Sequence, residues 1–234
     1  ILAEVNTHRM LSKNTSSTRA IPFKKMGEAV QNNPFIPIAW QKDHKGMQGS
    51  EYLTKEIAIL ECRQKWLKAR ELAYKTAIEL NNVGATKQLC NRLLEPFMWT
   101  TMLITGSKEG WDNFFELRCP SYETETGIYK SKKDTGKYAE YGTVPKYFDD
   151  IIGWLQLNKG QAEIHIMDLA EKIYNAVNES TPKQLKAGEW HISFGDDFDI
   201  DKVAELYYEI INNDRPYPHI SSIEETKIKI STAM

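Results

Sequence analysis

Between Glu4 and Glu28 the chain carries no acidic residue, while Arg9, Lys13, Arg19, Lys24 and Lys25 are basic. Ser12, Asn14, Thr15, Ser16, Ser17 and Thr18 are interleaved with them. Guanidinium forks beside short hydroxyl and amide groups suit a phosphate or carboxylate, because arginine binds such oxyanions bidentately. Taken alone, the run reads either as an anion-binding loop or as a solvated basic loop. Arg92 lies late in a helical stretch, before Leu93-Leu94-Glu95-Pro96, and Arg118 closes an apolar helix that starts near Trp111. Each has an ordinary explanation beside the anion-binding one, since a cation at a helix C-terminus is favoured by the helix dipole.

The background against which these residues act is nearly neutral. Lys and Arg number 30 against 32 Asp and Glu, a formal net charge of -2. No global field therefore recruits nucleic acid or a membrane surface, and an anion site must be local. Cys62, Cys90 and Cys119 form no CxxC pair, which suits a reduced cytosolic compartment. No apolar run approaches the roughly 18 residues of a membrane span and no signal peptide is evident, so a cytoplasmic protein is expected. His8, His44, His165, His191 and His219 show neither HxxxH nor HExxH spacing, and no metal site is expected.

The elements that must position these side chains follow from periodicity. Ile1 to Val5 reads as a β-branched strand leading into a polar segment. Residues 22–32 read as a short helix with Pro22 in its first turn, and Pro34 to Ser50 as a loop. A long helix is predicted from Leu53 to Leu80, with Leu53, Ile57, Leu60, Leu67, Ala73, Ala77 and Leu80 on its apolar side. Gly84 follows it, and Thr86 caps a helix to about Glu95. Met98 to Thr105 reads as a buried strand, and Ser107 opens a helix to Arg118. Residues 119–157 read as a surface insertion. Helices are predicted over 161–177, with Ile166, Leu169, Ile173 and Val177 on one face, and over 201–212. The expected class is α+β, a sheet packed against long helices, in one domain over 1–234. A start and an end inside strand-like runs (Ile1 to Val5 and Lys227 to Ile230) suggest a fragment.

His8-Arg9, seven intervening residues, Ser17 and then Arg19 resemble the signature of the flavin-dependent thymidylate synthases, which is Arg-His-Arg, seven residues and Ser. Asn14 falls at the matching internal position. Asn91-Arg92-Leu93-Leu94-Glu95-Pro96, the strand with Trp99-Thr100, and Trp111-Asp112-Asn113-Phe114-Phe115-Glu116-Leu117-Arg118 are similar to the family's second half, in the same order. Gln161-Ala162-Glu163-Ile164 resembles its Gln-x-Glu-Ile. Asn6-Thr7-His8-Arg9 and Gly188-Glu189-Trp190-His191 look most like bacteriophage versions.

The resemblance implies an enzyme that converts dUMP to dTMP with FAD, taking the one-carbon unit from methylene-tetrahydrofolate and reducing equivalents from NADPH. It implies no cysteine nucleophile. It assigns Ser17, Arg19, Arg92 and Arg118 to dUMP, with Ser17 and Arg118 as the catalytic pair, and His8, Arg9, Asn14 and Asn113 to FAD. A homotetramer with active sites shared between subunits is implied, with no membrane or nucleic-acid partner. Thr7 replaces the first arginine of the signature, Glu4 a usual Gln and Thr15 a common acidic residue. These departures open two alternatives: a homologue that hydroxymethylates dUMP, or a nucleotide-binding protein that has lost catalysis.

Overall fold

The first five residues do not form the expected strand. In the computed structural model, which describes residues 2–45, 49, 51–138, 153–154, 157–182, 184–186 and 199–212, they enter helix α1 (Leu2–Asn6). β-Branched propensity is a weak preference that packing overrides. Val5 and His8, three apart, are both buried, and a single helical turn places both on one side. The chain divides into two compact units, Ile1–Ser180 and Thr181–Met234.

In the first unit β1 (Leu11–Thr15) pairs antiparallel with β2 (Met102–Gly106), Lys13 opposite Ile104. Only Leu11 of β1 is buried, so its polar sequence carried no strand signal. β2 is half-buried on its first three residues and exposed on its last two, not the buried strand expected. The residues before it are used differently. Pro96 sits in a 3-10 helix, Glu95–Phe97, and Thr101 O accepts a hydrogen bond from Ser16 N at 3.2 Å.

Two cores flank this ribbon. Val5, Leu11, Phe114, Phe115, Cys119, Ile166 and Ala170 form one. It lies among α1, β1, α5 (Lys108–Arg118) and α7 (Ile164–Glu179). Ser107 caps α5 by accepting from Gly110 N at 3.2 Å, as its position predicts. The other core is Met26, Val30, Ala77, Cys90, Leu94 and Phe97. It lies among α2 (Phe23–Asn32), α3 (Glu56–Asn82) and α4 (Lys87–Arg92). The arrangement is α+β, with small antiparallel ribbons between helices.

α3 runs 27 residues, yet only Ala77 on it is fully buried. The predicted row works in its C-terminal half, where Ala73 and Leu80 pack on the core beside Ala77, and Trp66 and Tyr74, outside that row, join them. It fails in the N-terminal half, where Ile57 is 82% and Leu60 49% exposed. The charge pair Glu61–Lys65 at i,i+4 spacing supports the helix where packing does not. Gly84, at φ +91°, ends the α3–α4 connection in a conformation a side chain would strain. α2 and α3 meet closely, because a Cβ on Gly27 would lie 2.7 Å from the Tyr74 ring. Gly27→Leu is expected to cost about 1–3 kcal/mol by overpacking, read as a lower urea midpoint at unchanged slope.

The segment predicted as a surface insertion begins with a hairpin, β3 (Tyr122–Thr124) and β4 (Gly127–Tyr129), followed by α6 (Lys132–Tyr138). Tyr122 is fully buried and joins Trp154, Ile164 and Met167 in a third cluster. In the second unit α8 (Ile200–Asn212) buries Val203. Asp199 caps it through Asp201 N at 3.1 Å. Gly188 to His191, His219 and Lys227 to Ile230 lie outside the described residues.

Candidate functional site

The basic segment is a built turn, and one buried amide builds it. Asn91 is fully buried on α4, and its Nδ2 donates to Thr18 O at 2.8 Å and Ile21 O at 3.0 Å. Asparagine is a poor helix-interior residue because its side chain competes for backbone groups. Here the Nδ2 donors are satisfied across 70 positions or more, while the buried Oδ1 has no partner among the described residues. Thr18 Oγ1 donates to Glu95 Oε1 at 3.2 Å, and Lys87 Nζ to Ala20 O at 3.4 Å. Within the turn Ala20 N donates to Ser17 O at 2.9 Å, and Arg19 N to Ser17 Oγ at 3.2 Å.

The turn therefore holds Ser17 and Arg19 beside the end of α4, where Arg92 follows Asn91. Ser17, Arg19 and Arg92 are all exposed. Among the described residues neither guanidinium has a hydrogen-bond or ion-pair partner. Glu95 at the turn is engaged by Thr18 and pairs with neither guanidinium among the described residues, which leaves their donors available to an anion. Ser17 Oγ faces no imidazole or carboxylate partner among the described residues, so it is equipped to hydrogen-bond a ligand rather than to attack one.

Arg118 sits elsewhere. Its Nε donates to His8 Nε2 at 2.9 Å and its NH1 meets Glu4 Oε1 at 3.1 Å. His8 is 8% exposed and lies edge-on to Phe114 at 4.9 Å. Burial, then the Arg118 guanidinium, then Lys13 hold its imidazole below the ordinary range. Burial pushes the Glu4 carboxyl up, and Arg118 partly offsets this. β1 separates the two groups, and its five residues span roughly 15 Å at ~3.3 Å per residue. Among the described residues the contacts of Arg118 are with His8 and Glu4, and none joins it to Arg19 or Arg92.

Arg9, Asn14 and Asn113 are exposed, with no side-chain partner among the described residues. Asn14 shares the outer face of the ribbon with Ser12, and Asn113 points away from the Phe114 and Phe115 core. Sequence reasoning gave Glu163 and His165 no site role. Glu163 caps α7, accepting from His165 N at 2.9 Å and Ile166 N at 3.3 Å, and its Oε1 pairs with His165 Nδ1. His165 Nε2 accepts from Ile38 N at 3.0 Å, so both ring nitrogens are occupied, as expected of a satisfied histidine. Burial pushes the Glu163 carboxyl up, but the imidazole and the two helix N–H groups together hold it below the ordinary range. Among the described residues no group of three His, Cys, Asp or Glu could hold a metal, and no helix is long and apolar enough to cross a membrane.

No family model matches the sequence, and no curated protein does. Among solved structures, the chain is similar to a UMP/dUMP methylase, PolB from Streptomyces cacaoi, bound with 5-Br dUMP. The identity is 12% and the TM-score 0.49, over 76% of this chain and 61% of that one. This chain thus spans less than two thirds of that protein's length.

Proposed function

We propose that this chain methylates dUMP as a flavin-dependent thymidylate synthase, with methylene-tetrahydrofolate and NADPH as co-substrates. The observation that carries the reading is the Asn91-pinned turn, which ties the segment of Ser17 and Arg19 to the helix that carries Arg92, both guanidiniums being unpaired among the described residues. A nucleotide phosphate is a dianion that wants several convergent donors. Arg19 and Arg92 supply the charge, and the Ser17 hydroxyl adds a short donor. Arg118 is the fourth dUMP contact. Because β1 holds it away from the other three, its place is in a site completed by a second subunit of a homotetramer.

The donors proposed for FAD fit it by type. Arg9 offers a free guanidinium to a pyrophosphate, and Asn14 and Asn113 offer amides that can both donate and accept. When bound, the flavin supplies the hydride chemistry, while the protein supplies orientation and electrostatics. The cysteines have no part in it. Cys90 and Cys119 are buried, and burial pushes the Cys119 thiol up to about 12, the reverse of an activated thiolate.

The test is direct. Purified protein is expected to bind FAD, to lose its flavin absorbance with NADPH, and to release tritium from dUMP labelled at C5. Protein that neither binds FAD nor releases tritium would sink the enzyme reading. Mass spectrometry of the product separates dTMP from a hydroxymethylated nucleotide, the alternative that the Thr7 and Thr15 departures raise.

A further inference from the structure

Arg118 and His8 stand 110 positions apart and meet Nε to Nε2 at 2.9 Å. A guanidinium has no lone pair to give and stays charged, so its Nε–H donates. His8 Nε2 is therefore the bare nitrogen, and the ring is neutral with its proton on Nδ1. Glu4 Oε1 takes a second donor of the same fork, on NH1. Packed against Phe114 and almost fully covered, the imidazole cannot turn away without opening the core. Among the described residues these two anchors leave the NH2 side of the fork uncommitted, on a side chain that is 26% exposed.

We propose that His8 and Glu4 are the positioning residues of Arg118, and that Arg118 presents its free donors to a ligand only while His8 is neutral. The ligand half of this rests on the reading of Arg118 as a dUMP contact. An imidazolium at His8 would set an N–H against the Nε–H of Arg118 and bring two positive charges to hydrogen-bonding distance. The guanidinium would then have to rotate off its anchor.

The charged groups facing the ring fix the direction of its titration. Arg118 from α5 and Lys13 from β1, whose Nζ donates to His8 O, both oppose protonation. Glu4 from α1 faces Arg118, and Glu163 at the start of α7 faces Glu4. Since burial and the two cations lower the His8 pKa, the folded chain takes up its proton later than the unfolded one as pH falls. The neutral-ring contact contributes fully above the ordinary imidazole value of about 6.5 and is lost as pH drops through the lowered folded value.

Two measurements on the full chain decide this separately from the dUMP reading. In the absence of ligand, nitrogen NMR should show His8 titrating below the ordinary imidazole value, with the Arg118 Nε–H signal moving at the same midpoint. Arg118→Met should raise that midpoint. An ordinary His8 midpoint, or an Arg118 signal that ignores it, overturns the proposal whatever dUMP does.

The second arm is calorimetry of dUMP binding between pH 5 and pH 7.5. The dUMP phosphate itself titrates near pH 6, so the readout is the difference between proteins. Wild type should lose about tenfold more affinity at the acid end than His8→Gln, which keeps an acceptor but cannot ionise. His8→Phe, which removes the acceptor, should bind weakly at every pH. Equal pH profiles for wild type and His8→Gln overturn the proposal. A coupled His8–Arg118 titration with no dUMP binding at any pH upholds the positioning and overturns the dUMP assignment instead.

Discussion

On the proposed dUMP-methylating reading, Arg19→Ala and Arg118→Ala proteins, each impaired alone, are expected to regain turnover when their subunits are mixed and allowed to exchange. The expectation comes from β1. Arg118 is anchored at the Leu11 end of that strand through His8, and Ser17 and Arg19 follow its Thr15 end. On the proposed reading of a shared site, the two ends of β1 serve nucleotides bound with different copies, so the four residues are drawn from two subunits. A hydrogen bond to a charged group is worth about 1.5–3 kcal/mol, so each single variant should lose roughly 10- to 150-fold in dUMP affinity or turnover. If each site takes its two halves from different copies, half of randomly mixed pairs are hybrids, each with one intact and one doubly damaged site. Recovery of roughly a quarter of wild-type activity follows for such an isologous pair. Tritium release from C5-labelled dUMP reads the outcome. Mixtures no more active than the average of the two variants would mean that the groups do not meet across subunits.

Asn91→Ala belongs to the same argument. It leaves every proposed contact residue in place but removes the two bonds that hold the turn. A loss of dUMP affinity as large as that of Arg92→Ala, with the flavin still bound, is the expected result.

What could be read in advance divides along physical lines. Helix ends were legible where a local signal fixes them: Ser107 before α5 and Gly84 after α3 each act through one or two nearby groups. β1 was not, because Leu-Ser-Lys-Asn-Thr buries a single side chain and takes its strand geometry from β2. The N-terminal half of α3 misled for the opposite reason, since its apolar spacing is helical but no described residue covers Ile57, which is 82% exposed. At the site, residue type and spacing pointed to the arginines, but their grouping depends on contacts between distant positions. Asn91 had one local hint, an amide inside a helix. The grip of Glu4 and His8 on Arg118 had none, because it exists only once α1 replaces the expected strand.

The largest effect on stability is expected from Glu171→Ala, far from any of the arginines. Glu171 is 3% exposed. Its carboxylate accepts from Tyr122 Oη at 2.9 Å, Lys132 N at 2.7 Å and Lys132 Nζ at 2.9 Å. It thus ties β3 and the first turn of α6 to α7 in one contact, while Trp154 Nε1 donates to the same phenol oxygen and its ring lies 4.4 Å from Lys132 Nζ. Removing the carboxylate takes the Glu171 acceptor from the Tyr122 hydroxyl and from the Lys132 backbone N–H, a loss of about 1–3 kcal/mol each. The ammonium adds less, because Lys132 is 27% exposed and can turn to water. A total near 3 kcal/mol, or roughly 6–12 °C in Tm for a chain of this size, is expected in thermal unfolding. Tyr122→Phe should cost about half as much, and the double variant less than the sum, because both changes break the same bond. Burial first, and then the Glu171 carboxylate, hold the Tyr122 phenol far above its ordinary range. Its contribution is full below about pH 10 and is lost only as pH climbs beyond that value. Equal melting temperatures for wild type and Glu171→Ala would show that α6 and its hairpin are held by apolar packing alone.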